Sequence, residues 1–427
     1  MTNKVSDNLG INKKSFIWNI IGSVLGAVSS FVLLLCVTRT VGATEGGIFS
    51  LAFATAQILL TIGKFGVRSY QATDINYEVE FGTYLVTRIW FCLGMLLIGI
   101  LYVWVAGYDW RKSFIFILVC IIKMVDAIED VFHGQLQQMG HLDVAGKLLA
   151  FRNAITMICF GASLYTTRDL LWGCVITAML SMGIGLFFNI VVTKRYIRVR
   201  LVRNQAKEKN LVLACLPLFA GSFLSIYIYN VPKYALDFMG TEAEIAIYSI
   251  IFMPAFVINL FSEFVFKPLL TMIASYWSNH CMEKFISVVK KLLFNIAGIT
   301  IIVMVGAYLV GAQLLSIFYV VDVMAYRVEL VILMLSGGFS AAVYLLYNVL
   351  TSMRKQKIII INYAIVAVLI TFVATIGVRQ WKIMGGTIAY LLCEVILFTL
   401  MLMATLIRYR KECHKDESRN CNVSGNK

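Results

Sequence analysis

FIWNIIGSVLGAVSSFVLLLCV, residues Phe16 to Val37, runs for 22 positions without a charge. A helix needs about 20 predominantly apolar residues to cross the hydrocarbon core of a bilayer. This stretch is long enough, and comparable stretches recur as far as Ile407. Working outward from it, the spans fall at 16–38, 47–64, 85–106, 113–133, 145–166, 170–193, 211–231, 245–266, 287–310, 328–352, 358–378 and 386–407. The chain therefore reads as an all-α polytopic membrane protein with about 12 transmembrane helices.

Composition agrees. The 427 residues are 60% hydrophobic and 14% charged, with a mean hydropathy of +0.83; a soluble domain carries about 25% charged residues. A net charge of +14 would suggest nucleic acid on a soluble chain. Here most of the basic residues sit between spans, which points to the cytoplasmic face and anionic lipid heads. Lys13 and Lys14 open the first run in the manner of a signal peptide. The run is too long for that and no small-x-small cleavage site follows, so it reads as a retained signal anchor.

Loop charge sets the orientation. With the N-terminus inside, 26 basic residues fall in inside loops, 8 outside and 3 (Arg88, Lys123 and Arg152) within spans, which accounts for all 37. Short cytoplasmic loops carry this bias, and an even number of spans places both termini in the cytoplasm. Seven of the inside basic residues crowd the stretch from Lys194 to Asn210. That stretch divides the chain into an N-terminal six-helix lobe (1–193), a basic cytoplasmic linker (194–210), a C-terminal six-helix lobe (211–407) and a cytoplasmic polar tail (408–427).

The halves carry a weak repeat. Arg39 is followed by Gly42-Ala43-Thr44-Glu45 and then Phe49-Ser50; Lys233 is followed by Gly240-Thr241-Glu242 and then Tyr248-Ser249. Six spans per half would relate the repeats by an axis along the membrane normal.

No nucleophile elbow, P-loop, dinucleotide fingerprint or zinc motif stands out, and the ten cysteines show no metal spacing. The sequence points to no catalytic residue, no ATP hydrolysis and no cofactor. Work must come from a substrate gradient, an ion gradient or both.

Charge within a span costs about 2.5–3.5 kcal/mol on insertion scales and needs an account. The fourth span is richest. Lys123, Asp126, Glu129, Asp130, His133 and Gln137 fall within an arc of roughly 120°, so the stripe faces another helix or a wet cavity. Asp126, Glu129 and Asp130 are candidates for coupling to H+ or Na+; the competing reading is a structural network in which Lys123 pairs with Asp126 or Asp130. Arg88 and Arg152 either snorkel to phosphate heads or form a cationic wall for an anionic substrate, to which a guanidinium fork suits a diphosphate. Arg39 and Lys233 close the first and seventh spans on the outer face at equivalent points of the repeat, and Pro232 is expected to break the seventh span. Glu394 lies mid-span with Tyr390 and Thr387 on its face. Asn259, Ser262 and Glu263 line one side of the eighth span, and Ser222, Ser225 and Tyr229 one side of the seventh; these suit helix packing or sugar bonding.

From Thr38-Arg39-Thr40-Val41-Gly42 onward the chain resembles the Wzx-like polysaccharide flippases (O-antigen and capsule transporters) of the MATE/MOP exporter superfamily. The resemblance continues in Gly46 to Ala52, in Phe65-Gly66-Val67-Arg68-Ser69-Tyr70-Gln71-Ala72-Thr73-Asp74, and in Asp130 to Gln137 with Gly140, where His141 stands in place of the usual Arg. Val231-Pro232-Lys233-Tyr234-Ala235-Leu236-Asp237 is similar to the family's Pro-Arg-Tyr-x-x-Asp, and Arg354 to Lys357 also matches.

The resemblance implies two lobes around a central cavity with alternating access. The implied substrate is a polyprenyl-diphosphate oligosaccharide, the repeat unit of a surface polysaccharide, carried across the bacterial inner membrane. By position Arg39, then Lys233, would hold the diphosphate, with Lys for Arg at 233 leaving bidentate contact open. The implied partners are membrane lipids, a coupling ion, and the glycosyltransferases and polymerase of the same pathway, with no nucleic acid. Three other readings stay open. One is a MATE-type small-molecule exporter of the same fold. A second is a major-facilitator transporter, whose loop signature Gly63 to Asp74 fits poorly. The third is a membrane polymerase or ligase, which the short outer loops disfavour.

Overall fold

Ten of the twelve expected spans fall within one α-helix of the computed structural model, and 170–193 and 287–310 each run into a π turn; the structure describes residues 13–74, 79–196, 203–353 and 355–424. The helices are α1 (Lys13–Val41), α2 (Ala43–Lys64), α3 (Val67–Thr73), α4 (Phe81–Ala106), α5 (Trp110–Gln138), α6 (Leu142–Thr167), α7 (Leu170–Leu180), α8 (Leu186–Thr193), α9 (Gln205–Met239), α10 (Glu242–Ser278), α11 (Met282–Gly306), α12 (Ala312–Tyr319), α13 (Arg327–Ser352) and α14 (Gln356–Ser424). No strand occurs among the described residues. A π turn at Ser181–Gly185 joins α7 to α8, and another at Ala307–Gly311 joins α11 to α12, so each pair forms one interrupted crossing. Long α14 is two helices that meet at Trp381 and Lys382, where Lys382 takes φ 50°.

Eight helices among the described residues are long and apolar enough to span a membrane by composition alone. Their outward faces carry Leu97, Trp104, Phe294 and Ile302, at 68%, 77%, 80% and 72% exposure. A soluble surface does not hold so many large exposed apolar side chains; lipid does.

Local chemistry explains the helix ends. Asp109 caps α5 by accepting from the Arg111 and Lys112 amides, and Asp169 caps α7 through Trp172. Thr241 and Glu244 bond reciprocally across the start of α10, a capping box that satisfies two otherwise orphaned donors. Phe65 and Gly66 are both left-handed, which ends α2 and re-aims the chain into α3.

The chain forms two compact units, Met1–Ile226 and Tyr227–Lys427. In the first, α1 packs along α6 and α2 along α4 and α5; in the second, α13 packs against α10, α11 and α14. The boundary lies inside α9, which starts within the stretch expected as linker. Of that stretch, residues 197–202 lie outside the described residues, as do Arg354 and the side chains of Asn259, Ser262 and Glu263.

One expectation fails. Pro232 does not break the seventh span: α9 continues through it to Met239. Proline removes one intrahelical hydrogen bond and crowds the preceding turn, and flanking packing carries the helix through. Lys233 thus lies six residues inside the helix end, whereas Arg39 lies two from the end of α1.

Candidate functional site

The charged stripe of α5 forms two knots, one turn apart. In the lower knot Asp130 is met from three directions. Arg88 Nη2 lies 3.2 Å away, Arg68 Nη1 3.2 Å and Lys64 Nζ 3.7 Å. Arg88 is completely buried and also donates to the Gly63 carbonyl at 3.0 Å. In the upper knot Asp126 pairs with Arg152 and, at 3.3 Å, with Lys123, while Arg152 Nε lies 2.8 Å from Glu129. Arg152 is steadied by Asn153, whose own amide donates to the Gly22 carbonyl of α1. Lys123 also sits over the Phe53 ring.

Lys64, Arg68, Arg88, Lys123 and Arg152 thus face Asp126, Glu129 and Asp130: five cations against three carboxylates. The pairing expected of Lys123 is present, with Asp126. Neither guanidinium of Arg88 or Arg152 turns to a lipid head; both turn inward and are engaged.

Two of the sequence stretches singled out above lock together here. Arg68, from Phe65 to Asp74, donates to Gln137 as well as Asp130, and Gln71 meets Gln135 at 3.1 Å. Gly134 makes this possible, because a Cβ there would collide with the Gln71 side chain. Asp74 accepts from Tyr84 and from the Val79 amide, tying α3 to α4. Sequence reasoning missed Lys64, Arg68 and Asn153 as members. Arg68 lay within a quoted stretch, but Lys64 looked like a loop cation and Asn153 gave no signal.

Above the upper knot is a cavity of ≈ 30 Å³, lined by Ser29, Lys123, Asp126, Arg152, Asn153 and Thr177, with Phe49, Phe53 and Phe160 as apolar walls. It is large enough for one or two waters. At the N-terminal end of α5 Arg111 reaches Glu45 at 2.6 Å and Asp169 at 3.2 Å. Burial alone would raise the Asp169 carboxyl, but the Trp172 amide and the Arg111 guanidinium hold it below the usual carboxylate range.

The repeat-related pair differs in surroundings. Arg39 is exposed, and Lys233 is 7% exposed in the second unit with no hydrogen bond or ion pair to a described residue. Nearby, buried Phe252, Tyr248 and Tyr390 and half-buried Tyr229 form an aromatic cluster, with Tyr229 and Phe252 edge to face at 4.5 Å. Glu394 lies one turn beyond Tyr390, buried, with Tyr390 and Ser340 as its hydrogen-bond partners. Ser222 bonds back to the Leu218 carbonyl, which is local helix chemistry. No cluster of metal-ligating side chains occurs among the described residues.

The model of a family described as "Polysaccharide biosynthesis protein" matches residues 13–274. None of the curated proteins matches. Among solved structures, an inward-facing multidrug resistance MATE family transporter of the MOP superfamily superposes with a TM-score of 0.71 at 13% identity, over 92% of this chain and 96% of that one. The Vibrio cholerae MATE transporter VcmN in its bent form gives 0.60 at 15% identity over 94% and 97%. A MOP superfamily transporter from Pyrococcus furiosus gives 0.59 at 13% identity over 93% and 95%; its structure is described as having a binding pocket of reversed polarity. At these identities the likeness establishes the fold, that of the MATE/MOP transporters.

Proposed function

Because the chain belongs to the polysaccharide biosynthesis protein family, we propose that it is a flippase. On this reading it moves polyprenyl-diphosphate-linked oligosaccharide across the bacterial inner membrane for surface polysaccharide assembly, with both termini cytoplasmic. The observation that carries the reading is the family match, which covers the first unit from residue 13 onward and continues past Lys233.

Physical chemistry supports it. Passing a sugar diphosphate through hydrocarbon strips charges and hydroxyls of water at a prohibitive cost without a polar path. Around the α5 stripe of the first unit five cations face three carboxylates, a balance that suits an anionic head. Arg39 and Lys233 are the proposed diphosphate contacts. Arg88 and Arg152 are proposed to act through Asp130 and Asp126, holding the first unit as one body while it moves. Asp126, Glu129 and Asp130 are each matched by a cation, so an incoming ion would have to displace a guanidinium or ammonium; we read them as braces of that body.

The test is a strain lacking this chain. Lipid-linked oligosaccharide accumulating on the inner leaflet supports flipping. Normal translocation with failed chain growth would instead indicate a polymerase, and normal polymer with altered drug tolerance a small-molecule exporter.

A further inference from the structure

Glu394 of the second unit can be compared with the three carboxylates of the α5 stripe. Asp126, Glu129 and Asp130 each have a cation within 3.3 Å. Glu394, 5% exposed in α14, has none among the described residues. Its Oε2 atom is buried without a hydrogen-bond partner.

The described groups that face it are neutral. Tyr390 and Ser340 bond to the carboxyl. Cys393 adjoins it on its own helix, and Tyr229 and Tyr248 stand behind Tyr390 from α9 and α10. Among the described residues of these elements the charged groups lie elsewhere; the side chains of Glu263 and Lys267 in α10 lie outside that set. Lys382 pairs with Glu244 near the outer end, Glu329 and Arg327 open α13, and no ion pair joins Lys233 to Glu394.

An ionised carboxylate held in such a place has no compensating charge among the described residues, and burial of that kind is met by neutralisation. A metal cation needs several oxygen ligands, and among the described residues only two hydroxyls reach this carboxyl. A proton needs one oxygen.

We infer that Glu394 is the exchangeable proton site of the second unit, carrying a proton while enclosed as here and releasing it when the helices around it open to water. The inference rests on the transport reading for its consequence: proton release at Glu394 couples movement of the head group to the proton gradient. Chemically the step is an acid dissociation, Glu394 COOH giving a carboxylate and a proton to water, with no other bond broken.

The test has two arms. The first takes purified full-length protein in lipid nanodiscs and records infrared difference spectra across a pH step, in H2O and D2O. A protonated-carboxyl C=O band that shifts in D2O is expected, lost in Glu394→Gln and displaced in Tyr390→Phe, which removes one hydrogen bond and keeps the packing. A band unchanged in both variants overturns the inference. Because this arm reads protonation without transport, it stands even where the strain experiment above rejects the flippase.

The second arm follows inner-leaflet lipid-linked oligosaccharide in cells while an uncoupler collapses the proton gradient. Accumulation in the wild type is expected to rise several-fold, and Glu394→Gln is expected to accumulate to one level with or without uncoupler. A Gln variant that responds as the wild type does overturns the coupling role.

Discussion

Arg88 Nη2 lies 3.2 Å from Asp130 Oδ2, and the Arg88 side chain has no exposed surface at all. The pair joins α4 to α5 at membrane depth, where removing one partner of a buried ion pair costs about 3–5 kcal/mol. The two partners are not equivalent. Asp130→Asn strands Arg88 with only the Gly63 carbonyl and leaves Arg68 and Lys64 repelling it. Arg88→Met removes the buried charge itself and leaves Asp130 with two cations. Thermal unfolding in detergent is expected to show Asp130→Asn as the more damaging change. Equal losses would mean that the pair acts as a simple contact and not as a charge balance.

The hairpin of α14 depends on two glycines. A Cβ on Gly385 would sit 2.8 Å from the Val378 amide nitrogen and run into the Gly377 carbonyl. Backbone cannot move aside as a side chain can, so Gly385→Ala is expected to lose about 1–3 kcal/mol or more through overpacking. Gly94 is the control: a Cβ there meets nothing within 4 Å. Gly94→Ala should be neutral or gain up to about 1 kcal/mol from helix propensity. Indistinguishable melting curves for the two variants would refute the close crossing at Gly377 and Gly385.

Acid should loosen the end of the first unit where α5 begins. Arg111 bridges Glu45 and Asp169, and the Asp169 carboxyl is held below its ordinary range. A depressed carboxylate contributes stability above its unfolded value, about 3.9, and loses that contribution as pH falls through the folded value. Both partners are partly exposed, so the bridge is worth only about 0.2–1 kcal/mol. The wild type is therefore expected to melt slightly above Arg111→Met at neutral pH, with the gap closing as acid titrates the Asp169 carboxylate through its lowered folded value. A gap that persists in acid, or that ignores added salt, would assign the effect to packing of the Arg111 stem.

The spans were legible because their signal is the chain's own composition: an uninterrupted apolar run such as Phe16 to Val37 has few alternatives. The stripe on α5 was legible for the same reason, since helical spacing alone puts Asp126 and Asp130 on one face. Their partners were not. Which cation meets Asp130 depends on how α2, α3 and α4 pack, and Lys64 and Arg68 lie 66 and 62 residues away in sequence. Pro232 misled because local propensity argues for a break, whereas packing along α9 overrides it. Glu394 was visible as a charge in a span, but the absence of a cation beside it is a tertiary fact.

Lys233 offers the sharpest separation of folding from function. It is buried in the second unit with no ion pair or hydrogen bond to a described residue. Stability gives no reason to keep such a cation, since an unpaired buried charge is costly and an apolar side chain of the same length fills the space. Lys233→Met is therefore expected to fold at a normal level and melt at or above the wild-type temperature. If the ammonium is kept to meet a diphosphate, the same variant loses surface polymer by tenfold or more, about 1.4 kcal/mol or above in transition-state terms. Arg39→Ala should likewise abolish export at a normal protein level. Immunoblot, melting temperature and surface polymer measured on the same cells decide the matter. A Lys233→Met protein that exports as the wild type does would remove Lys233 from the diphosphate contacts, and one that is unstable would show that the ammonium has a structural partner.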